Sequence, residues 1–506
     1  MNPEMKKIYL ALSAAALLLV SACSTDFVTP KHNSSEPLAD YFNSEARMSE
    51  GLTAAYDPLN WFDYAFGQYD ALHLVNDIMA DDMYAGGSND GDQPILVKTH
   101  YYTLTPTEQP NQIWTVCYSG INRANTVLEY VDGVPGMSED KKTLFKAEAI
   151  TLRNFYYTLL WKYWGNIPYY EENLKAPYFG EQLGHDDVYA KIVASLEEVI
   201  DLNVLPMKAA VGSEGRVTKA MLYMLYAEVV MYQKDQSRYQ TALNYMKEII
   251  TGHQYSLVGD FASIWLESGE WGTESIWEIN YISEGGVRSW GNSIALGGEV
   301  FSVLCGIPAE KGTEFQEGWG FGTIAKSAYD MYDDTDIRRD GGILNFEAYA
   351  AAHPGAQYTP RWQDTGYFNL KYLPYKGGNH GYLADDNLNY GNNFRYYRYA
   401  ETLLNAAELS SLLGQDGSSY LKEVRDRAHS QDTGTSYDDI IEERHKEFVG
   451  EGKRYWDLVR SGQAADVLKA ASHEYRTNDW NESKKYWPIP QSEIDKDPAL
   501  KQNDYK

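Results

Sequence analysis

Apolar residues recur at helical spacing through much of the chain. From Trp114, the positions Cys117, Ile121, Ala124, Leu128 and Val131 step by three and four, which predicts an amphipathic helix stopped at Gly133-Val134-Pro135-Gly136. Ser138, with Lys141 and Lys142 behind it, opens a second helix through Phe145, Ala149, Leu152, Phe155, Tyr156 and Leu160 to Trp164, and Gly165-Asn166-Ile167-Pro168 ends it. Asp186 and Asp187 cap a third, with Val188, Ile192, Leu196 and Val199 on one side. Thr218 to Tyr232 is apolar on most faces and predicts a buried helix, whereas Tyr239 to Ile250 aligns Ala242, Tyr245, Met246 and Ile249. Helical patterns return at Arg395 to Leu413, Ser418 to His429 and Asp438 to Gly462. Paired helices joined by short turns suggest tetratricopeptide-like hairpins, although no strict period of about 34 residues lines up.

The rest of the chain breaks this pattern. Ser275 to Ile282 alternates Ile276, Glu278 and Asn280 with Trp277, Ile279 and Tyr281, which predicts a strand. From Glu284 to about Asn393, Gly, Asn, Tyr and Asp crowd together and only Thr323 to Tyr332 reads as helix. Loop-rich stretches of that length inside a compact protein tend to carry function. The tail from Trp487-Pro488-Ile489-Pro490 to Tyr505 reads as an extended strap. The expected fold is mainly α: a tetratricopeptide-like helical-hairpin scaffold with an inserted loop-rich subdomain containing short strands. The expected divisions are a helical part over 41–283, a ligand-facing loop part over 284–393, and a helical part with its tail over 394–506.

The N-terminus predicts a compartment. Lys6 and Lys7 precede the apolar run Ile8 to Val20, whose thirteen residues are too few to span a bilayer. This stretch therefore reads as a secretory signal over 1–22. Val20-Ser21-Ala22-Cys23 resembles a bacterial lipobox, in which Cys23 becomes the lipid-bearing first residue. Residues 23–40, rich in Ser, Pro, Thr and charge, read as a flexible tether. No later segment is apolar for long enough to cross a membrane. Only Cys117 and Cys305 remain after Cys23, too few for a disulfide framework, and the sequence does not say whether they pair.

Charge and composition narrow the partners. A net charge of −28 disfavours nucleic acid, whose phosphates demand a cationic footprint, and polyanionic sugars as the main ligand. The chain holds 42 Tyr and 13 Trp. Some must fill the core, and the surplus suits a sugar-stacking or protein-binding surface. In the loop-rich part, Trp290 beside Asn292, Trp319 between Gly318 and Gly320, and the pair Arg361-Trp362 are candidate ligand contacts, as is Tyr84 in the Gly- and Asp-rich loop after Asp82. Each offers a ring face for the apolar face of a pyranose, or a polar group for its hydroxyls. For any one of them, core packing or a contact with a partner protein explains the residue equally well. Trp114, Trp161, Trp164 and Trp456 lie on helical stripes and belong to the core.

Acidic patterns favour structure over chemistry. Glu443, Glu447 and Glu451 share one helix face and repel one another, so Arg444, Arg454, Arg460 or a neighbouring helix must compensate them. Asp81 and Asp82 are adjacent and cannot face one sugar ring together, and Asp333-Asp334-x-Asp336 lacks the spacing of an EF-hand. Zinc-protease, serine-hydrolase and phosphate-loop motifs are missing. No metal or cofactor is implied.

Several segments resemble one family, the SusD/RagB nutrient-binding lipoproteins. They are Glu148-Ala149-x-x-Leu152-Arg153-x-Phe155-Tyr156-Tyr157 with Trp164-Gly165-Asn166-Ile167-Pro168, then Gly215-Arg216-Val217-Thr218-Lys219-Ala220 and Arg398-Tyr399-Ala400-Glu401-x-Leu403-Leu404. Val424-Arg425-x-Arg427-Ala428, the run from Glu443 to Arg460, and Lys485-Tyr486-Trp487-Pro488-Ile489-Pro490 with Gln502-Asn503 complete the series. The resemblance implies a tetratricopeptide-like scaffold and a non-catalytic lipoprotein, anchored at the outer membrane and probing the exterior. It also implies capture of polysaccharide or oligosaccharide for a SusC-like TonB-dependent transporter. A peptide-binding member of the family and a surface glycosidase are the competing expectations.

Overall fold

The structure is a computed structural model that describes residues 37–506. The expected signal segment, Cys23 and the tether up to residue 36 lie outside the described residues.

Helices form where the stripes run. α1 spans Glu45–Tyr56, α2 Leu72–Met79, α3 Asn111–Tyr130, α4 Glu139–Trp164, α5 His185–Leu202, α6 Lys219–Gln233 and α7 Tyr239–Thr251. Ser138 and Thr218 cap α4 and α6 by accepting the backbone amides of Lys141 and Met221. α4 ends at Gly165, whose φ of +67° and contact with the Tyr486 ring leave no room for a side chain. From Leu152 to Trp164, α4 is buried on every face and forms the axis of the core. Successive helices from α3 to α7 pack side by side as hairpins, as in tetratricopeptide arrays. Trp114, Trp161, Trp164 and Trp456 all lie in the core, and the buried thiols of Cys117 and Cys305 are unpaired. No helix among the described residues is long and apolar enough to cross a membrane.

The array continues across the loop-rich part. α8 (Tyr399–Leu412) packs on α7, and α9 (Ser418–Ala428) and α10 (Tyr437–Phe448) pack on α8. The chain leaves the scaffold through β1 (Ser275–Ile279) and returns through β4 (Phe394–Arg398), its antiparallel partner. Between them, β2 (Ile343–Asn345) pairs with β3 (Tyr367–Asn369) over a small core that includes Phe315, Leu344, Phe346 and Phe368.

Several details depart from the sequence expectation. The tail expected as an extended strap holds the short helix Gln491–Lys496, and the expected helix over 323–332 is only Lys326–Asp330. Residues 395–398 are strand rather than the start of a helix, because β1 supplies the backbone partners. The run from 438 to 462 is two helices, α10 and α11 (Arg454–Ser461), separated where Gly450 and Gly452 take φ values of +77° and +71°. The loop-rich part also holds the short helices Ile337–Gly342 and Phe346–Ala352, whose single turns leave too short a stripe to read.

A buried ion network joins the two parts. Glu443, Glu447 and Glu451 are all buried on α10 or just after it. Their partners are not the arginines of their own segment. Arg338 bonds Glu443 at 2.6 Å and Glu447 at 3.1 Å, and Arg398 at the end of β4 meets Glu447 at 3.1 Å and Glu451 at 2.8 Å. Lys371 reaches Glu451 at 2.6 Å, while Arg425 and Arg427 of α9 bond Glu443 and Glu447. Arg444 and Arg460 instead share Asp457, and Arg454 holds Asp81. Burial alone would raise the Glu447 pKa, but the guanidiniums of Arg427, Arg398 and Arg338 hold it well below the usual carboxylate range. A carboxylate depressed in the fold stabilises the protein above its unfolded pKa of about 4.3, and that contribution fades as pH falls below it. Glu447→Gln leaves these cations undercompensated and is expected to cost about 3–5 kcal/mol at neutral pH. Denaturant unfolding measures this, and the deficit should shrink in acid; an unchanged midpoint would show that the network does not hold the fold.

Candidate binding platform

Two loops and the segment around Trp319 bring four aromatic rings together. The first connects the turn at Asp57–Trp61 to α2. Its tip is a tight turn in which the Gln68 amide donates to the Ala65 carbonyl at 2.9 Å, with Phe66 and Gly67 both at positive φ. Gln112, buried in the first turn of α3, fastens this loop: its Oε1 accepts the Ala65 amide at 3.0 Å and its Nε2 donates to the Trp61 carbonyl at 2.8 Å. Tyr64 and Tyr69 flank the turn with ring centroids 4.8 Å apart.

The second loop carries Trp290. Ser289 and Asn292 exchange backbone hydrogen bonds of 3.3 and 2.9 Å across Trp290-Gly291, and the Trp290 amide donates to Asp385 at 2.9 Å. Beside that turn, Arg288 is buried and forks onto Asp63 with bonds of 2.8 and 2.7 Å. The same guanidinium donates to the carbonyls of Ser293, Gly298 and Tyr64, and Asp63 also accepts the Val300 amide at 2.7 Å. One ion pair therefore fixes the Trp290 loop against the Tyr64 loop.

Trp319 completes the surface. Its backbone amide donates to the Val303 carbonyl at 2.8 Å, and its carbonyl accepts Arg361 at 3.0 Å. Gly318 has no side chain because a Cβ there would sit 2.2 Å from the Gly306 Cα, where two backbones cross. Trp290 and Trp319 lie 6.0 Å apart at 23°, close to parallel, and Tyr64 and Tyr69 meet them mainly edge to face at 5.5–6.3 Å. Trp290 remains 42% exposed. The Tyr69 phenol is pushed up to about 12 by burial, with Tyr64 and Asp92 adding to the effect, so it stays a neutral hydrogen-bond donor. The surface offers ring faces and neutral polar groups; of the guanidiniums beside it, Arg288 is spent on Asp63 and Arg361 donates to the Trp319 carbonyl.

The sequence candidates divide accordingly. Trp290 and Trp319 come together, Asn292 closes the Trp290 turn, and Arg361 braces Trp319. Trp362 is half-buried and tied by its amide to the Gly87 carbonyl, outside the ring cluster. Tyr84 is a correction: it is 5% exposed, its ring packed edge-on against His100 and Tyr475, and it presents no open face. Tyr64, Tyr69, Phe66 and Gln112 escaped the sequence reading. Three aromatic residues around Gly67 in a short non-helical segment were the available signal.

The acidic residues stand elsewhere. Asp81 is held by both terminal and bridging nitrogens of Arg454 at 3.0 and 2.8 Å, and Asp82 by His445. These ligand-capable atoms of Asp81, Asp82 and His445 lie within 4.8 Å of one another, but the Arg454 charge occupies the cluster and the arrangement is an ion-pair clamp between α11, α10 and the end of α2.

Comparisons with known proteins match this architecture. A profile described as "SusD family" matches residues 273–505, and one described as "Starch-binding associating with outer membrane" matches 26–223. A structure of surface glycan-binding protein A from Bacteroides thetaiotaomicron is 46% identical, with a TM-score of 0.87 over 92% of this chain and all of the other. The chain belongs to the SusD family. Among other members, the Bacteroides thetaiotaomicron protein in complex with laminarihexaose is 45% identical over 91% of this chain and 100% of its own, with a TM-score of 0.87. A laminarin-binding SusD-like protein is 28% identical over 91% of this chain and 99% of its own, with a TM-score of 0.82. A SusD-like protein of Formosa agariphila is 25% identical, covering 91% of each chain.

Asp70 tests how tightly the platform loop is packed. It is buried directly after Tyr69, and one of its carboxylate oxygens has no hydrogen-bond partner among the described residues. Burial pushes its pKa up to about 7. A carboxyl raised in the fold imposes no penalty below its unfolded pKa of about 3.9 and costs stability as pH rises to about 7. Asp70→Asn removes that dependence. Relative to wild type, the variant should gain about 2–4 kcal/mol between pH 4 and pH 7 in denaturant unfolding, and a gap that does not change with pH would refute it.

Proposed function

We propose that the protein captures a neutral glycan on the rings of Tyr69, Trp290 and Trp319, which pack around the buried Tyr64, and passes it to a SusC-like TonB-dependent transporter. In this reading Cys23 carries the lipid that holds the chain at the outer membrane, facing outward, and the protein itself performs no chemistry. The observation that carries the proposal is the near-parallel Trp290–Trp319 pair, with Trp290 open to solvent and its loop fixed by the Arg288–Asp63 clamp. Such faces stack on the apolar faces of pyranose rings, and a rigid pair loses little entropy when a ligand docks. A net charge of −28 repels polyanions, which supports a neutral sugar. The likeness to a relative that holds laminarihexaose and to another described as laminarin-binding makes laminarin and its oligosaccharides the first ligands to test.

Calorimetric titration of the protein lacking residues 1–23 with laminarin should show binding without shortening of the sugar. Trp290→Ala and Trp319→Ala, with unchanged circular dichroism, should each weaken it by about tenfold or more, as expected when a central aromatic contact is removed. Unchanged affinity in both variants would remove the platform from the site. Binding of peptides alone would place the protein with peptide-binding members of the family, and accumulation of shortened sugars would make it a glycosidase.

A further inference from the structure

A second cleft, sharing no residue with the platform, opens between the first half of α3, residues 168–180 and the C-terminal tail. Its volume is about 810 Å3, inside the range of about 300–1,000 Å3 common for small-molecule sites. We propose that this cleft is a second subsite for a neutral oligosaccharide.

Three features point to that ligand. The floor is aromatic: Trp114 meets Tyr118 at 4.9 Å, and Tyr118 and Tyr170 are stacked at 6.0 Å and 21°. The lip is aromatic and open. Tyr178 is 70% and Phe179 49% exposed, both more than Trp290. Tyr178 takes a φ of +66°, a conformation that costs a non-glycine residue about 1 kcal/mol or more, and Gly180 lets the segment lie against Tyr170, where a Cβ would approach the ring to 3.0 Å. An exposed pair of rings held at such cost is not explained by the core.

The polar lining suits hydroxyl groups. Thr115, Ser119 and Asn122 share the α3 face that bears Tyr118. The hydroxyls of Thr115 and Ser119 donate to the carbonyls of Asn111 and Thr115, which leaves their oxygens free to accept from a ligand. Both cations at the edges are paired, Arg123 with Asp57 at 2.6 Å and Lys496 with Glu493 at 2.7 Å, and the remaining charged side chain of the lining is the carboxylate of Asp497. An anionic ligand therefore has no free cation to answer it, whereas a polyol has ring faces and acceptors.

The cleft also leads toward the platform. Arg123 lies over the Trp61 ring at 4.7 Å, and Trp61 meets Phe66, the tip of the first platform loop, at 5.9 Å. A long chain bound at both places gains effective concentration that a short one does not.

The test uses four proteins lacking residues 1–23: wild type, Trp290→Ala/Trp319→Ala, Tyr178→Ala/Phe179→Ala, and all four changes together. Each is titrated with laminarihexaose, cellohexaose, maltohexaose and polymeric laminarin, with circular dichroism to check folding. The expected result is weak hexasaccharide binding that survives loss of the platform tryptophans and disappears when Tyr178 and Phe179 are also removed. Polymer affinity should fall by about tenfold in the Tyr178→Ala/Phe179→Ala variant alone. Crystals of the platform variant soaked in the bound sugar should show it against Tyr118 and Tyr170. Abolition of all sugar binding by the platform changes would overturn the second subsite and leave the platform standing. Residual binding indifferent to Tyr178 and Phe179, or a cleft that takes only a proline-rich peptide, would also overturn it.

Discussion

The salt-bridge network around Arg398 and Glu447 is the constraint on which the rest of the structure depends. Arg398 ends β4, the strand by which the loop-rich part returns to the scaffold, and its guanidinium is shared by Glu274, Glu447 and Glu451. Glu274 precedes β1, the strand by which the chain leaves. Arg338 and Lys371 enter the same network from within the loop-rich part, and Arg425 and Arg427 from α9. Removing such charges from water costs several kcal/mol each, so an apolar core of equal volume would be as stable or more so. What the ions add is direction. Hydrogen-bonded charges have few acceptable arrangements, and this set is satisfied only when both ends of the loop-rich part are docked against α9 and α10.

The platform repeats the device at smaller scale. Asp63 belongs to the N-terminal part and Arg288 to the loop-rich part, and the two form a buried, bidentate pair directly beneath the rings. Loops with few apolar contacts open at little cost. Here the Trp290 turn is tied through Arg288, Asp385 and Ser293, and the Tyr64 loop through Gln112, so polar anchors add to the packing of Tyr64, Tyr69 and Trp319 on the main core. A surface left open to solvent cannot be buried to make it rigid. Anchoring its backbone from below satisfies both requirements.

How much of this was legible follows from how local each determinant is. The long helices could be read because a stripe such as Cys117, Ile121 and Ala124 records its own burial, and the resemblance to the family added their arrangement. Phe394–Arg398 could not, because a strand that short is decided by its partner, Ser275–Ile279, more than a hundred residues earlier. Trp290 and Trp319 were visible as bulky rings among glycines. Their company with Tyr64 and Tyr69 was not, since it arises from an ion pair across 225 positions. Tyr84 misled for the same reason: a loop of Gly, Ser and Asp reads as exposed, yet its root is covered by Tyr475 from the segment after α11. The identity of the cations facing Glu443, Glu447 and Glu451 was likewise beyond reach, because Arg338 and Lys371 come from segments that carry no helical signal.

The abundance of tyrosine has a physical resolution in the structure. Inside the protein, phenols work as cross-links between elements: Tyr156 donates to the Ala55 carbonyl, Tyr157 to the Tyr170 carbonyl, Tyr226 to Glu197, and Tyr332 of the loop-rich part to the Lys446 carbonyl of the scaffold. Each buries a ring and satisfies a carbonyl or carboxylate that would otherwise cost about 1–3 kcal/mol unpaired. Composition cannot distinguish these residues from surface rings, since both uses demand the same amphipathic side chain. What separates them is the partner of the hydroxyl and the freedom of the face. Tyr156 and Tyr157 have both faces covered and their hydroxyls bonded, whereas Tyr178 is open to solvent. The scaffold and the exposed rings thus draw on one residue type, and only the fold assigns each copy to its use.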